Sequence, residues 1–250
     1  MTTLAQKFQD KSVLSTRSML WLAAIATLVT LLVLLTKAVA DNPEASQDIG
    51  VKDWITGWDL PGLYSLFSSV SAVTHTQVGM GYGALAVIFL LLLGKTRPAI
   101  VFAAVGVSIA VVALGADHNL GVIVGRGRPL DPTHNAFPSG HTYGTTVFFS
   151  FLGFLAFYYR LKPKILILML VTFAAIIVSV GLGRIYIQAH FPSDVAGGYL
   201  MAGISLLIII PVFVWLRSSG WPTTRRLKED SAVVACDSCM VASSIASVVV

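Results

Sequence analysis

The sequence predicts an all-α integral membrane protein, a bundle of six transmembrane helices with an amphipathic helix lying in the interface between spans one and two. Three observations carry that prediction. Of the 250 residues, 56% are hydrophobic and only 12% are charged, against about 45–50% and about 25% in soluble domains. So little charge cannot cover the surface of a soluble fold, and a mean hydropathy of +0.81 excludes a disordered chain as well. The apolar residues also come in long unbroken runs, not in the alternating ten-residue segments of a membrane barrel. Inside a bilayer such runs must satisfy their own backbone groups, which they do as helices.

A hydrocarbon core of about 30 Å takes about 20 residues of helix. Residues 18–36 carry no charge and are rich in Leu, Ala and Val, which makes them span one. Span two is 77–93, stopped by Gly94-Lys95, and span three is 98–116, with Pro98 suited to a first helical turn. Span four, 142–159, follows Pro138-Ser139-Gly140; spans five and six are 165–180 and 195–216. Between spans one and two, Trp54, Ile55, Trp58, Leu63, Leu66 and Phe67 recur at roughly helical spacing. They predict an interfacial helix with Trp54 and Trp58 at headgroup level. The chain thus divides into an N-terminus (1–17), a six-span domain (18–216) and a tail (217–250).

Charge sets the orientation. Lys7, Lys11, Arg17, Lys95, Arg97, Arg160, Lys162, Lys164, Arg217, Arg225, Arg226 and Lys228 all fall on one side of these spans, twelve of the seventeen basic residues. The other side holds Lys37, Lys52, Arg126, Arg128 and Arg184 with most of the acids. Basic loops stay inside, so both termini are expected in the cytoplasm of a multi-pass cell-membrane protein. Span one is too long for a signal-peptide core and lacks a cleavage site. The net charge of +5 is divided among separate loops, so no nucleic-acid partner is expected. The outer loops contain no Asn-x-Ser/Thr, which favours a bacterial membrane. The oligomeric state leaves no mark in the sequence.

The outer loops concentrate the reactive residues. The loop before span four contains Arg126, Arg128, Asp131, His134, Ser139, Gly140 and His141; the loop before span six contains Arg184, His190 and Asp194. A single arginine at a span end is an ordinary snorkelling anchor. That account does not cover two histidines, several arginines and an aspartate on one face. Together they suit a phosphate ester, because guanidinium forks match phosphate oxygens. Ser139-Gly140 has the character of a helix N-terminus, which favours an anion. One histidine can serve as nucleophile and another as general acid. His190 and Asp194 are four apart, so one helical turn lets the carboxylate hold the imidazole tautomer. No carboxylates stand at metal-ligand spacing beside them, and neither a metal nor another cofactor is expected.

Arg128-Pro129, then Pro138-Ser139-Gly140-His141, then Arg184-x5-His190-x3-Asp194 resembles the three-part motif of the type 2 phosphatidic acid phosphatase (PAP2) superfamily. The motifs span about seventy residues, and the six-span topology extends the resemblance over nearly the whole chain. The resemblance implies a metal-independent lipid phosphatase. In it His190 forms a phosphohistidine, Asp194 orients His190, and His141 protonates the leaving oxygen. Arg128, Arg184, Ser139 and the Gly140 amide hold the phosphoryl oxygens. Phosphatidic acid, phosphatidylglycerophosphate or a polyprenyl diphosphate is the implied substrate, met at the outer membrane face.

Two positions depart from the family. Gly121 stands where its first motif usually has Lys, and Gly183 stands where its third motif usually has Ser. A lost charge-assisted contact is worth about 1.5–3 kcal/mol. Arg126, two residues from Arg128 on an extended loop, is expected to compensate as a further phosphate contact. The rival reading is a catalytically weak or silent lipid-phosphate-binding protein of the same fold. A transporter fits less well, because the spans are almost purely apolar. His134 is expected to be a solvated loop residue, Gly197-Gly198 to allow close helix packing, and Cys236 and Cys239 to be an idle reduced pair.

Overall fold

The computed structural model describes residues 16–74, 81, 83–85, 87–88, 91–92 and 96–218. Among these, the regular elements are helices: α1 (Thr16–Asp41), α2 (Ser46–Thr56), α3 (Leu63–Val73), α4 (Thr96–Val124), α5 (Gly140–Tyr158), α6 (Pro163–Tyr186) and α7 (Pro192–Ser218). Five of the expected spans fall on α1, α4, α5, α6 and α7. The second, 77–93, lies mostly outside the described residues, as do Cys236 and Cys239. Three described stretches are long and apolar enough to cross a bilayer: Ser18–Asp41, Pro163–Tyr186 and Pro192–Trp215, with mean hydropathies of 2.4, 2.9 and 2.2. This is an all-helical membrane protein.

The helices outrun the apolar runs that announce them, because their ends are set by caps and not by hydrophobicity. Ser139 sits in extended conformation ahead of α5 and its hydroxyl accepts from the Thr142 amide, satisfying a donor that the helix cannot. Pro163 opens α6, where its missing N–H costs nothing. Asp194 lies in the first turn of α7, where the helix dipole favours a negative charge. At its other end α6 continues past the apolar run to include Arg184.

Between α1 and α4 the structure departs from the single interfacial helix. Among the described residues 42–74, two helices stand there, separated by residues 57–62. Gly62, at φ +80°, lies in the left-handed region that glycine enters without strain. Both helices pack on α6. Ile55 is buried with Ile185 and Val195, flanked by Trp58 and Tyr186, and the Tyr186 hydroxyl donates to the Trp58 carbonyl at 3.0 Å. The Phe67 ring lies 5.3 Å from that of Tyr186, over Gly183, where a Cβ would come within 3.1 Å of it. Helical periodicity marks a face that must be covered; it does not distinguish a lipid interface from another helix. Here α6 covers Ile55 and Phe67, while Trp54 remains exposed.

Contacts among α1, α4, α5 and α7 form the centre of the bundle. Tyr143, Val147, Met201 and Ala202 are buried together against Leu32 and Ile109, and Trp21 Nε1 donates to the Leu207 carbonyl at 2.8 Å. The start of α7 approaches the start of α5 closely. A Cβ on Gly198 would lie 2.7 Å from the Ser139 carbonyl, and one on Gly197 would lie 2.8 Å from the Phe137 ring. These two glycines do serve close packing. By internal contacts the chain divides into Met1–Ile210 and Pro211–Val250; everything described below lies in the first unit.

Candidate active site

The candidate site lies where α4 and α6 end and α5 and α7 begin. From Val124 the chain leaves α4 and doubles back as a short hairpin. The Ala136 amide donates to the Arg126 carbonyl at 2.8 Å and the Arg128 amide to the His134 carbonyl at 3.1 Å. Gly127 pairs with Asn135, and it must be glycine, since a Cβ there would lie 2.6 Å from the Pro132 carbonyl oxygen. At the exposed tip, His134 Nδ1 pairs with Asp131 at 2.7 Å, as expected of a solvated loop residue. The return limb leads to Ser139, which is fully buried. Its amide donates to the Asp194 backbone carbonyl at 2.9 Å, tying the start of α5 to the start of α7. His141 follows in the first turn of α5, half-buried.

His190 lies on the turn between α6 and α7. Gln188 there adopts a left-handed φ of 55°, and the amides of Ala189 and His190 both donate to the Arg184 carbonyl, at 3.0 and 3.1 Å. The imidazole is 2% exposed. Its Nδ1 is 2.7 Å from the Ala136 carbonyl and 3.7 Å from Asp194 Oδ2. A carbonyl only accepts, so Nδ1 carries the proton and Nε2 the lone pair. Asp194 is thus next to Nδ1 as expected, but the Ala136 carbonyl is nearer and the two residues do not share a helical turn. Helix α7 begins only at Pro192, so His190 is outside it. Asp194 Oδ2 accepts instead from the Phe191 amide at 2.7 Å, and the backbone of Ala136 sets the tautomer. Burial, above all, pushes the His190 pKa below its ordinary 6.5, and the charges of Arg184 and Arg128 push the same way, against Asp194. The group is thereby held neutral at pH 7.

The three arginines divide into two roles. Arg184 is buried and donates through Nη1 to Ser71 Oγ of α3 at 2.7 Å, while its buried Nε has no protein partner. Arg128 is half-buried and anchored through Nε to the Asn135 carbonyl at 3.1 Å; no carboxylate among the described residues pairs with it. The charges of both act on His190. Arg126, expected as a further phosphate contact, has a different place. Its Nη1 pairs with Asp48 at 2.7 Å and its Nη2 donates to Asp194 and, at 2.6 Å, to Ser193 Oγ. With both terminal nitrogens on protein acceptors, its fork is not available to a ligand. Gly121 is closed off too: a Cβ there would lie 2.5 Å from the Asn135 side-chain amide.

A buried histidine on a backbone carbonyl, with the charges of two arginines acting on it, follows the order of motifs in the sequence, and residues 124–218 match the PAP2 superfamily. The match to that family covers this stretch of the chain. A lipid A 1-phosphatase of Rhizobium etli is 32% identical to it over 101 residues, 38% of this chain. The match spans only 39% of the length of that relative. Among solved structures, a transmembrane PAP2-type phosphatidylglycerolphosphate phosphatase from Bacillus subtilis superposes with a TM-score of 0.65 at 17% identity, covering 75% of this chain and 94% of that one. At that identity the likeness is one of fold. Arg126, Arg128, Ser139, Gly140, His141, Arg184, His190 and Asp194 all lie within the stretch that matches the PAP2 superfamily. Asp48 and Ser71, which engage Arg126 and Arg184, lie outside it. Neither stands out in the sequence, because each contacts a partner 78 or 113 residues away.

Proposed function

We propose that this chain is a membrane phosphatase that hydrolyses a lipid phosphate or diphosphate without a metal, through a phosphohistidine on His190. The observation that carries the proposal is the setting of that residue: buried, its Nδ1 on the Ala136 carbonyl, which leaves the Nε2 lone pair free of that bond, with the charges of Arg184 and Arg128 acting on the ring. A phosphoryl group needs positive charge around its equatorial oxygens and an in-line nucleophile. Arg128, Arg184, Ser139 and the Gly140 amide at the start of α5 surround the oxygens. Nε2 attacks phosphorus, an N–P bond forms, and the P–O bond to the lipid breaks as the leaving oxygen takes a proton from His141. Water, deprotonated by His141, then attacks phosphorus, the N–P bond breaks, and phosphate leaves. Asp194, 3.7 Å from Nδ1, offsets the positive charge that the ring acquires in the intermediate.

The lipid tail remains in the bilayer while its headgroup meets the ends of α4, α5, α6 and α7. Six spans with both termini in the cytoplasm put these ends on the outer face. The test is phosphate release by the full chain in detergent from phosphatidic acid, phosphatidylglycerophosphate, a polyprenyl diphosphate and lipid A. Release from at least one is expected; release from none overturns the proposal in favour of a silent lipid-phosphate-binding protein.

The pH dependence has a definite sign. Attack needs neutral His190, and its pKa is lowered from 6.5. The acid limb of kcat/KM, which reports the free enzyme, is therefore expected below pH 6.5. An acid limb centred above pH 6.5 would contradict the burial of His190.

A further inference from the structure

Arg126, Asp48 and Asp194 form a buried carboxylate–guanidinium–carboxylate cluster, of which the catalytic scheme above uses Asp194 alone. The side chains of Arg126, Asp48 and Asp194 are 3%, 9% and 0% exposed. Asp48 comes from α2, outside the stretch that matches the PAP2 superfamily, and also accepts from the Ser193 amide at 2.9 Å and from the Ser193 hydroxyl. The Phe191 ring lies 4.5 Å from the Arg126 guanidinium carbon. The turn bearing His190 is thus gripped at Phe191, Ser193 and Asp194.

Arg126 reaches both groups that face His190 Nδ1. Through its backbone, its carbonyl accepts from the Ala136 amide, and the Ala136 carbonyl accepts from Nδ1. Through its side chain, Nη2 holds Asp194. Its charge also partly neutralises the carboxylate nearest the imidazole, in a setting too dry for water to screen it. We infer that Arg126, braced by Asp48, is a positioning residue that aligns His190 and limits the negative charge that Asp194 presents to it. This inference rests on the proposed phosphatase reading for its kinetic consequences only.

The charged groups that act on His190 are Asp194 of α7, Arg184 of α6 and Arg128 of the hairpin; those that face the turn bearing it are Arg126 of the hairpin and Asp48 and Lys52 of α2. Removing the Arg126 charge leaves two carboxylates unopposed and favours the protonated imidazole. Removing the Asp48 charge does the reverse.

The test uses the full chain in detergent with isotopically labelled histidine. The five histidines are followed by NMR through a pH titration, and His190 is identified by loss of its signal in His190→Gln. Arg126→Gln is expected to move the His190 midpoint upward and Asp48→Asn to move it downward. Arg126→Lys is expected to return the midpoint toward that of the parent protein. It should still leave kcat lower by on the order of 10- to 100-fold with KM nearly unchanged, because a single ammonium nitrogen cannot stand where both Nη1 and Nη2 do and small misplacements of a nucleophile are costly. Asp48→Asn keeps the Arg126–Asp194 pair and so remains informative if Arg126→Gln does not fold. Shifts of opposite sign support the clamp. An unmoved midpoint in folded Arg126→Gln, or in Asp48→Asn if the former does not fold, overturns it. The titration requires no turnover, so a parent protein that releases no phosphate would overturn the phosphatase proposal and leave this inference standing or falling on its own midpoints.

Discussion

His190→Gln is expected to lower phosphate release by at least about 10⁴-fold, the scale on which removing a covalent nucleophile acts in other hydrolases. Glutamine can keep a donor to the Ala136 carbonyl, which now takes Nδ1–H at 2.7 Å, so the fold should survive. The amide offers no nucleophilic lone pair. Rapid acid or base quenching during turnover separates the possibilities. The parent protein should trap a phosphate adduct stable in base and labile in acid, as a phosphoramidate is, and the variant should trap none. A variant retaining more than a tenth of the parent rate would mean that another group attacks phosphorus.

Asp194→Ala should combine the largest loss of stability with a large loss of rate. It strips a buried guanidinium of one of its two carboxylates and leaves the Phe191 amide without its acceptor. Breaking a buried ion pair from one side costs about 3–5 kcal/mol, and losing a helix cap typically costs about 1 kcal/mol. The expected result is a clearly lowered Tm in detergent. The rate should fall by about 10²–10⁴-fold, because the ring charge formed during transfer loses its counter-charge. Asp194→Asn, which retains the hydrogen-bonding shape, should recover more of the Tm than of the rate. Equal recovery of both would show that the carboxylate matters only as a cap.

The helices were legible because lipid imposes a single rule, that about 20 apolar residues must run together. Residues 165–180 and 195–216 therefore announce α6 and α7 directly. Their ends were less legible. Arg184 interrupts the apolar pattern yet lies within α6, because its guanidinium finds Ser71 and the backbone helix continues regardless. The region before α4 was only partly legible for a related reason. Ile55 and Phe67 face α6 and not the lipid, and periodicity is the same for both surroundings.

The site divides along the same line. Residue types, order and spacing on one membrane face mark Arg128, Ser139, Gly140, His141, Arg184, His190 and Asp194 as a set suited to phosphate chemistry. Spacing alone left two relations within that set incomplete. It joined Asp194 to Nδ1 without the nearer Ala136 carbonyl, since a carbonyl has no residue type by which to be recognised. It also sent Arg126 to the substrate, because nothing in the chain advertises Asp48 as its partner.

By itself, then, the sequence determined that this is a helical membrane protein and which side chains gather at one end of its spans. Those properties depend on composition and on local order along the chain. The tertiary structure decided which guanidinium faces a ligand and which is locked between carboxylates, and what fixes the tautomer of His190. Such matters depend on groups brought together from positions 54 to 145 residues apart, where only the folded backbone can set a distance.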